Sequence, residues 1–203
     1  MVCGGESKDK AVPRKVVIVG DGGCGKTSLL NVFARGYFPG LYEPAIFDNH
    51  VKDVQVDGRT VELAMWDTAG QEDFKRIRSL AYEDTHVFMI CFSVDSRDSL
   101  DNITEHWIHE VQGHTPNAKF VLIALKCDLR DDKAALVKQG GDEPILYDEG
   151  LAVARMIHAM SYVECSAKHN RGVQMCFEQV ARIAMRVRLK KERKKPAGMC
   201  VIL

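Results

Sequence analysis

The chain has 203 residues, of which 46% are hydrophobic and 28% charged, a length and balance that suit one folded domain and exclude mini-proteins, collagen-like chains and wholesale disorder. Its zero net charge hides an asymmetry: residues 182–195 carry eight Lys/Arg against Glu192, and the rest carries twenty against twenty-seven Asp/Glu, so the tail rather than the body is expected to meet an anionic partner. No apolar run approaches the ~18 residues of a membrane span, the opening MVCGGESKDK lacks a signal-peptide core, and seven cysteines with no CxxC or zinc spacing fit reduced thiols in a reducing compartment.

Residues 15–20 (KVVIVG) form a β-branched run closed by glycines, and 26–36 read as a helix. Residues 51–56 and 60–67 alternate around Asp57-Gly58, a hairpin signal that predicts two antiparallel strands. Apolar runs at 87–94, 120–125 and 162–165 are too short for core helices and alternate with helical stretches. Ser96 is placed to cap a helix reaching about residue 111, and Asp148 another reaching about 159. A last helix from about residue 173 puts Phe177, Val180, Ala184 and Val187 on one stripe before Pro196 ends it. The expected architecture is one doubly wound α/β domain at 15–188. It has a mostly parallel six-stranded sheet, one antiparallel edge strand and helices on both faces, between a flexible 1–14 and a polybasic tail at 189–203.

Gly20-Asp21-Gly22-Gly23-Cys24-Gly25-Lys26-Thr27 fits GxxxxGK[ST] between a strand and a helix, the context this motif requires, so the α/β domain is expected to have a P-loop NTPase fold. Its glycines let backbone N–H groups turn around phosphate oxygens at a helix N-terminus. Lys26 is expected to reach the β and γ phosphates and take part in catalysis, and Thr27 to give its hydroxyl to Mg2+. Ser28, next in the helix, completes this group of nucleotide-binding candidates. Asp67-Thr68-Ala69-Gly70-Gln71-Glu72 follows a strand, so Asp67 can hold Mg2+ through water and Gly70 can offer an unhindered N–H to a γ-phosphate. Gln71 carries an amide that both accepts from and donates to an attacking water, which suits catalysis.

Nucleotide kinases and motor ATPases share such a phosphate loop, and two further segments argue against them. Lys126-Cys127-Asp128 ends one strand, and Asp128 can accept from the N1–H and exocyclic amine of guanine. Ser166-Ala167-Lys168 ends another, where the Ala167 N–H can meet the guanine O6. A site built to pair polar groups rejects bases that lack them.

With these motifs in place, the chain resembles the Ras superfamily of small GTPases. WDTAGQEDFKRIRSLAYEDTHVFMICFSVDSRDSL from Trp66, FDN at residues 47–49, VDGRTVEL at 56–63, the long 129–150 segment and the final CVIL resemble the Rho family in particular. The resemblance implies GTP and GDP binding with Mg2+, slow GTP hydrolysis, and two loops that change state with the γ-phosphate. It also implies effectors engaged in the GTP state, an exchange factor, a GTPase-activating protein, a dissociation inhibitor and Rho-type actin cytoskeleton signalling, with no nucleic-acid partner. By the same resemblance Phe38 packs edge-on against guanine, Tyr42 covers the nucleotide, and Tyr42, Ala45, Phe47, Asp48 and Asn49 form the effector segment.

Three features depart from the family pattern. Ala45 stands where the family has a threonine that ligates Mg2+, so a binding module with impaired switching is the alternative expectation. Leu125 replaces the Asn or Thr before Lys126, at a cost of one hydrogen bond, roughly two- to tenfold in affinity. Gly140-Gly141 interrupts any helix in the 129–150 insert.

Cys200-Val201-Ile202-Leu203 fits a C-a-a-X prenylation signal of the geranylgeranyl type. One lipid anchors weakly, and the basic residues from Arg186 to Lys195 supply a second signal toward the anionic cytoplasmic face of a membrane, with a soluble pool expected beside it. A solvated helix end or an RNA-binding run is the competing reading of those charges. Val2 rules out N-myristoylation, and Cys3 is either acylated or a plain terminal thiol.

Overall fold

The computed structural model describes residues 10–40, 47–131 and 143–189. Six strands form one sheet in the order β2-β3-β1-β4-β5-β6. They are β1 (Val12–Gly20), β2 (Phe47–Val56), β3 (Arg59–Thr68), β4 (Val87–Ser93), β5 (Phe120–Leu125) and β6 (Ser161–Glu164). All neighbours are parallel except β2 and β3, the expected edge hairpin. Asp57 and Gly58 both adopt positive φ, 50° and 75°, the backbone that a two-residue hairpin turn matched to strand twist requires.

Strand alternation divides the core in two. Val16 and Ile18 face the layer that holds Leu29, Phe33, Met65, Phe177 and Val180. Val17 and Val19 face the opposite layer, with Phe88, Ile90, Ile103, Trp107 and Val111. A sheet covered on both faces needs continuous apolar strands, and β4 and β5 are buried along their whole length. The first layer is closed by α1 (Lys26–Arg35), whose Phe33 stacks on Phe177 at 3.8 Å between ring centroids. Other short helices are α2 (Lys75–Ser79), α3 (Arg97–Asn102), α4 (Ile108–His114), α5 (Tyr147–Met156) and α6 (Val173–Arg186).

Several boundaries differ from expectation for identifiable reasons. β1 starts at Val12, ahead of residue 15, because residues 12–14 pair with Val61, Glu62 and Leu63 of β3. Ser96 does cap its helix, accepting from the Ser99 N–H at 3.2 Å, but α3 and α4 are joined by a π-helical turn (Ile103–Trp107) and run on to His114. Asp148 is not a cap: α5 starts one residue earlier, and the Glu149 carboxylate accepts from the Leu146 N–H at 2.8 Å. α6 stops at Arg186, well before Pro196, where Val187 turns to extended backbone. The stripe of Phe177, Val180 and Ala184 is buried as expected, and Val187 lies just outside the helix.

Every parallel strand delivers its C-terminal end to one edge of the sheet. The loops after β1, β3, β5 and β6 therefore meet there, which is where ligands bind in open α/β sheets.

Candidate functional site

The loop between β1 and α1 is a backbone device. Gly20, Gly23 and Gly25 have φ of 143°, 75° and 108°. A Cβ on Gly20 would lie 2.2 Å from the Cys91 carbonyl oxygen, so only glycine fits between β1 and β4 there. Lys26 is buried, and its ammonium donates to the carbonyls of Gly20 and Asp21 at 2.7 Å each, which tightens the loop around its own side chain. Gly22, Gly23, Gly25, Lys26, Thr27 and Ser28 line one wall of an open cleft of about 610 Å3. Cys24 is buried behind it, and burial pushes its thiol pKa up, so this residue contributes backbone rather than a reactive sulfur.

Asp67 stands on β3, one residue before Thr68 in the cleft wall. It is fully buried, and among the described residues neither carboxylate oxygen makes a hydrogen bond of ordinary geometry. Burial raises its pKa, opposed by the Thr27 hydroxyl, the Lys26 ammonium and His50. A buried carboxylate with two idle oxygens is costly unless a cation satisfies it. The hard oxygen donors of Asp67 and Thr27 fit Mg2+ in kind, and would hold it with water and phosphate oxygens completing the shell.

The loop after β3 presses on the phosphate loop. A Cβ on Gly70 would lie 2.2 Å from the Gly22 nitrogen and 2.5 Å from the Gly20 carbonyl oxygen, so two main chains touch where no side chain fits. A Cβ built on Gly22 would lie 3.7 Å from the Gln71 amide carbon and nitrogen. The Gln71 side chain thus lies over the phosphate loop, lining the same cleft as Lys26. Thr68 anchors the start of this loop, donating its hydroxyl to the Ile18 carbonyl at 2.6 Å.

Beside the phosphate cleft is a smaller, mostly apolar pocket of about 140 Å3, bounded by Gly25, Phe38, Leu125, Asp128, Ala167 and Lys168 among others. Lys126 sits in the left-handed region (φ 58°), which turns the chain so that Asp128 enters the wall. One Asp128 oxygen is buried with no hydrogen-bond partner among the described residues, the arrangement of an acceptor waiting for donors. The Lys126 ammonium is held 3.3–3.4 Å from both Asp95 oxygens. The two base-side loops are joined by the Cys127 N–H donating to the Cys165 carbonyl at 3.2 Å, and buried Ser166 accepts from the His169 N–H at 3.1 Å. Phe38 is half exposed at the mouth of both cavities.

Of the residues expected to form an effector segment, Phe47, Asp48 and Asn49 open β2 and are exposed, with Phe47 tilted against Trp66 at 5.2 Å and Asp48 paired with Arg35 at 3.4 Å. Tyr42, Ala45 and Cys200, with Gly140-Gly141 and the basic residues from 190 onward, lie outside the described residues.

Sequence reasoning missed a second layer behind the cleft. Asp21, in the phosphate loop, accepts from the Trp107 indole at 2.6 Å and from Asn102 at 2.7 Å. Arg78 and Glu110 are buried as a bidentate pair, and Asp95 tethers Lys126. The signal for Glu110 was present: it falls on the apolar stripe of Trp107 and Val111, where a charge needs a buried partner.

A sequence profile of the Ras family matches residues 15–186. The chain is 56% identical over 179 residues to the GTP-binding protein rho3 of Schizosaccharomyces pombe, covering 88% of this chain and 86% of that one. It is 53% identical over 192 residues to the GTP-binding protein RHO1 of Candida albicans, covering 94% and 96%. To the Rho-related GTP-binding protein RhoB of Homo sapiens it is 51% identical over 183 residues, covering 88% and 92%.

Proposed function

The chain belongs to the Rho branch of the Ras family of GTPases, and from that premise we propose a Mg2+-dependent, guanine-selective switch whose Gln71 orients the hydrolytic water. Binding of GTP and GDP and hydrolysis of GTP come with the family. The observation that carries the finer reading is the apposition of Gly70 on Gly22, which brings Gln71 over the phosphate loop.

In this reading the base pocket holds guanine through Asp128 and the Ala167 N–H, with Phe38 at its mouth. Backbone N–H groups of the phosphate loop and the Lys26 ammonium surround the phosphates, where Lys26 neutralises the charge that develops on the transferred group. Asp67 and Thr27 would hold Mg2+, which supplies further charge neutralisation when bound. Gln71 accepts a hydrogen bond from water and fixes it in line with the terminal phosphorus. Phe47, Asp48 and Asn49, with Tyr42 and Ala45, face effectors of the GTP state in Rho-type control of the actin cytoskeleton. Exchange factor, GTPase-activating protein and dissociation inhibitor act on the same loops. Prenylated Cys200 and the basic tail keep the protein on the cytoplasmic face of a membrane, the plasma membrane by preference, beside a soluble pool.

Single-turnover GTP hydrolysis tests the centre of this reading. Gln71→Leu is expected to slow the reaction at least tenfold while leaving GDP affinity within about twofold, because the substitution removes a group that acts on water and not on nucleotide. A variant that hydrolyses GTP at the unmutated rate would remove Gln71 from the mechanism.

A further inference from the structure

Arg78, on α2, is 1% exposed, and each of its nitrogens is engaged. Nε and Nη2 donate to the two Glu110 oxygens at 2.8 and 2.9 Å. Nη1 donates to the carbonyls of Ala69 at 2.6 Å and Gln71 at 3.1 Å. These two carbonyls flank Gly70, the residue whose backbone presses on Gly22 of the phosphate loop. One guanidinium thus holds the chain on both sides of the contact that sets Gln71 over that loop.

The group behind Arg78 fixes its orientation. Glu110 is bound by Tyr82 as well, whose hydroxyl donates at 2.6 Å, and His106 approaches its other oxygen at 3.3 Å. The Arg78 guanidinium lies 4.7 Å over the Trp107 ring, a cation–π contact in a desolvated setting. Trp107 in turn donates its indole N–H to Asp21, inside the phosphate loop. The π-helical turn ending at Trp107 adds a residue to the helix at this point, a feature found mostly at functional sites. A planar fork gripping a carboxylate with one edge and two carbonyls with the other has a single geometry available to it, which a flexible ammonium could not reproduce.

We propose that Arg78, oriented by Glu110 and Trp107, is a positioning residue for GTP hydrolysis: it holds the 69–71 backbone in the register from which Gln71 acts. The proposal rests on the reading that Gln71 orients the attacking water. It assigns Arg78 no contact with nucleotide, so its loss disturbs the rate rather than the affinity. Displacement of a catalytic group by about an ångström costs on the order of a hundredfold in rate.

A double-mutant cycle on the full chain tests it, read as single-turnover GTP hydrolysis and GDP dissociation constant. Glu110→Gln presents an amide N–H₂ to one edge of the Arg78 fork and should slow hydrolysis about tenfold or more, with GDP affinity within about twofold. Added to Gln71→Leu, the same change should slow the reaction no further, because both act through one side chain. Arg78→Lys keeps a cation beside Glu110 while losing the fork, and serves the same cycle if Glu110→Gln does not fold. Unmutated rates in either variant overturn the proposal, as does a slowing of equal size in the Gln71→Leu background. An unmutated rate for Gln71→Leu alone would instead overturn the reading on which it rests.

Discussion

At the phosphate end of the cleft, Gly70 and Gly22 bring two main chains to a separation that leaves no room for a Cβ, and Arg78 ties down the carbonyls on either side. At the base end the pocket is bounded chiefly by side chains: Leu125 at the end of β5, Asp128 on the turn after it, and Phe38 beyond the end of α1. A wall of main chain tolerates nothing added to it, while a wall of side chains is undone by what is taken away. The two ends of one cleft should therefore fail under opposite kinds of substitution, and should damage opposite quantities, rate at the phosphate end and affinity at the base end.

The largest expected effect comes from removal at the base end. Asp128 offers a buried oxygen that has no hydrogen-bond partner among the described residues. Two hydrogen bonds from a base to an ionised acceptor contribute about 1.5–3 kcal/mol each. Asp128→Ala should accordingly weaken GDP binding by roughly a hundredfold or more, with the hydrolysis rate at saturating GTP little changed. Competition binding of GDP and ATP checks both strength and selectivity, and GDP affinity equal to that of the unmutated protein would remove Asp128 from base recognition.

Addition at the phosphate end comes next. Gly70→Ala places a methyl group 2.2 Å from the Gly22 nitrogen, and since that neighbour is backbone, a loop must move. Hydrolysis should fall roughly ten- to a hundredfold, while GDP affinity falls far less because the base pocket is untouched. If Gly70→Ala lost affinity and kept its rate, the division of labour between the two ends would be the reverse of the one drawn here.

The same division explains what was legible in the sequence. GxxxxGK[ST] and the Asp67–Gln71 stretch are local, because backbone-built loops need particular residues at fixed spacing, and the structure brings the first and residues Thr68 to Gln71 of the second to one cleft. Alternation around Asp57-Gly58 likewise foretold the edge hairpin, and short continuous apolar runs between helical stretches foretold a sheet covered on both faces. The support behind the cleft was not legible, since its pairs are distant: Asp21 and Trp107 are 86 residues apart, Arg78 and Glu110 are 32. Nor does any propensity announce the π-helical turn that sets Trp107 against Arg78. Asp148 misled because short polar residues favour caps, whereas here the Glu149 carboxylate reaches back to the Leu146 N–H.

Leu125 sits where the two ends meet and offers the finest test of the comparison. It is almost fully buried, and a Cβ on Gly25 would lie 3.7 Å from its side chain, so the base-side strand leans on the phosphate loop through an apolar contact. The resemblance places Asn or Thr here, able to hydrogen-bond across the same gap. The Lys126 ammonium, gripped by Asp95, and the bond from Cys127 to Cys165 already hold the base-side loop from behind. Leu125→Asn exchanges packing of a buried aliphatic side chain for one neutral hydrogen bond, contributing about 0.5–1.5 kcal/mol. Because the amide acts on how the two loops are joined and touches neither Gly70 nor Gln71, GDP release should slow by roughly two- to tenfold and the hydrolysis rate should stay as it is. Stopped-flow release of a fluorescent GDP analogue, beside single-turnover hydrolysis, reads both quantities. An unchanged release rate would mean that Asp95 and Cys165 alone set the strength of the base end, and a changed hydrolysis rate would mean that the two ends are coupled through Gly25.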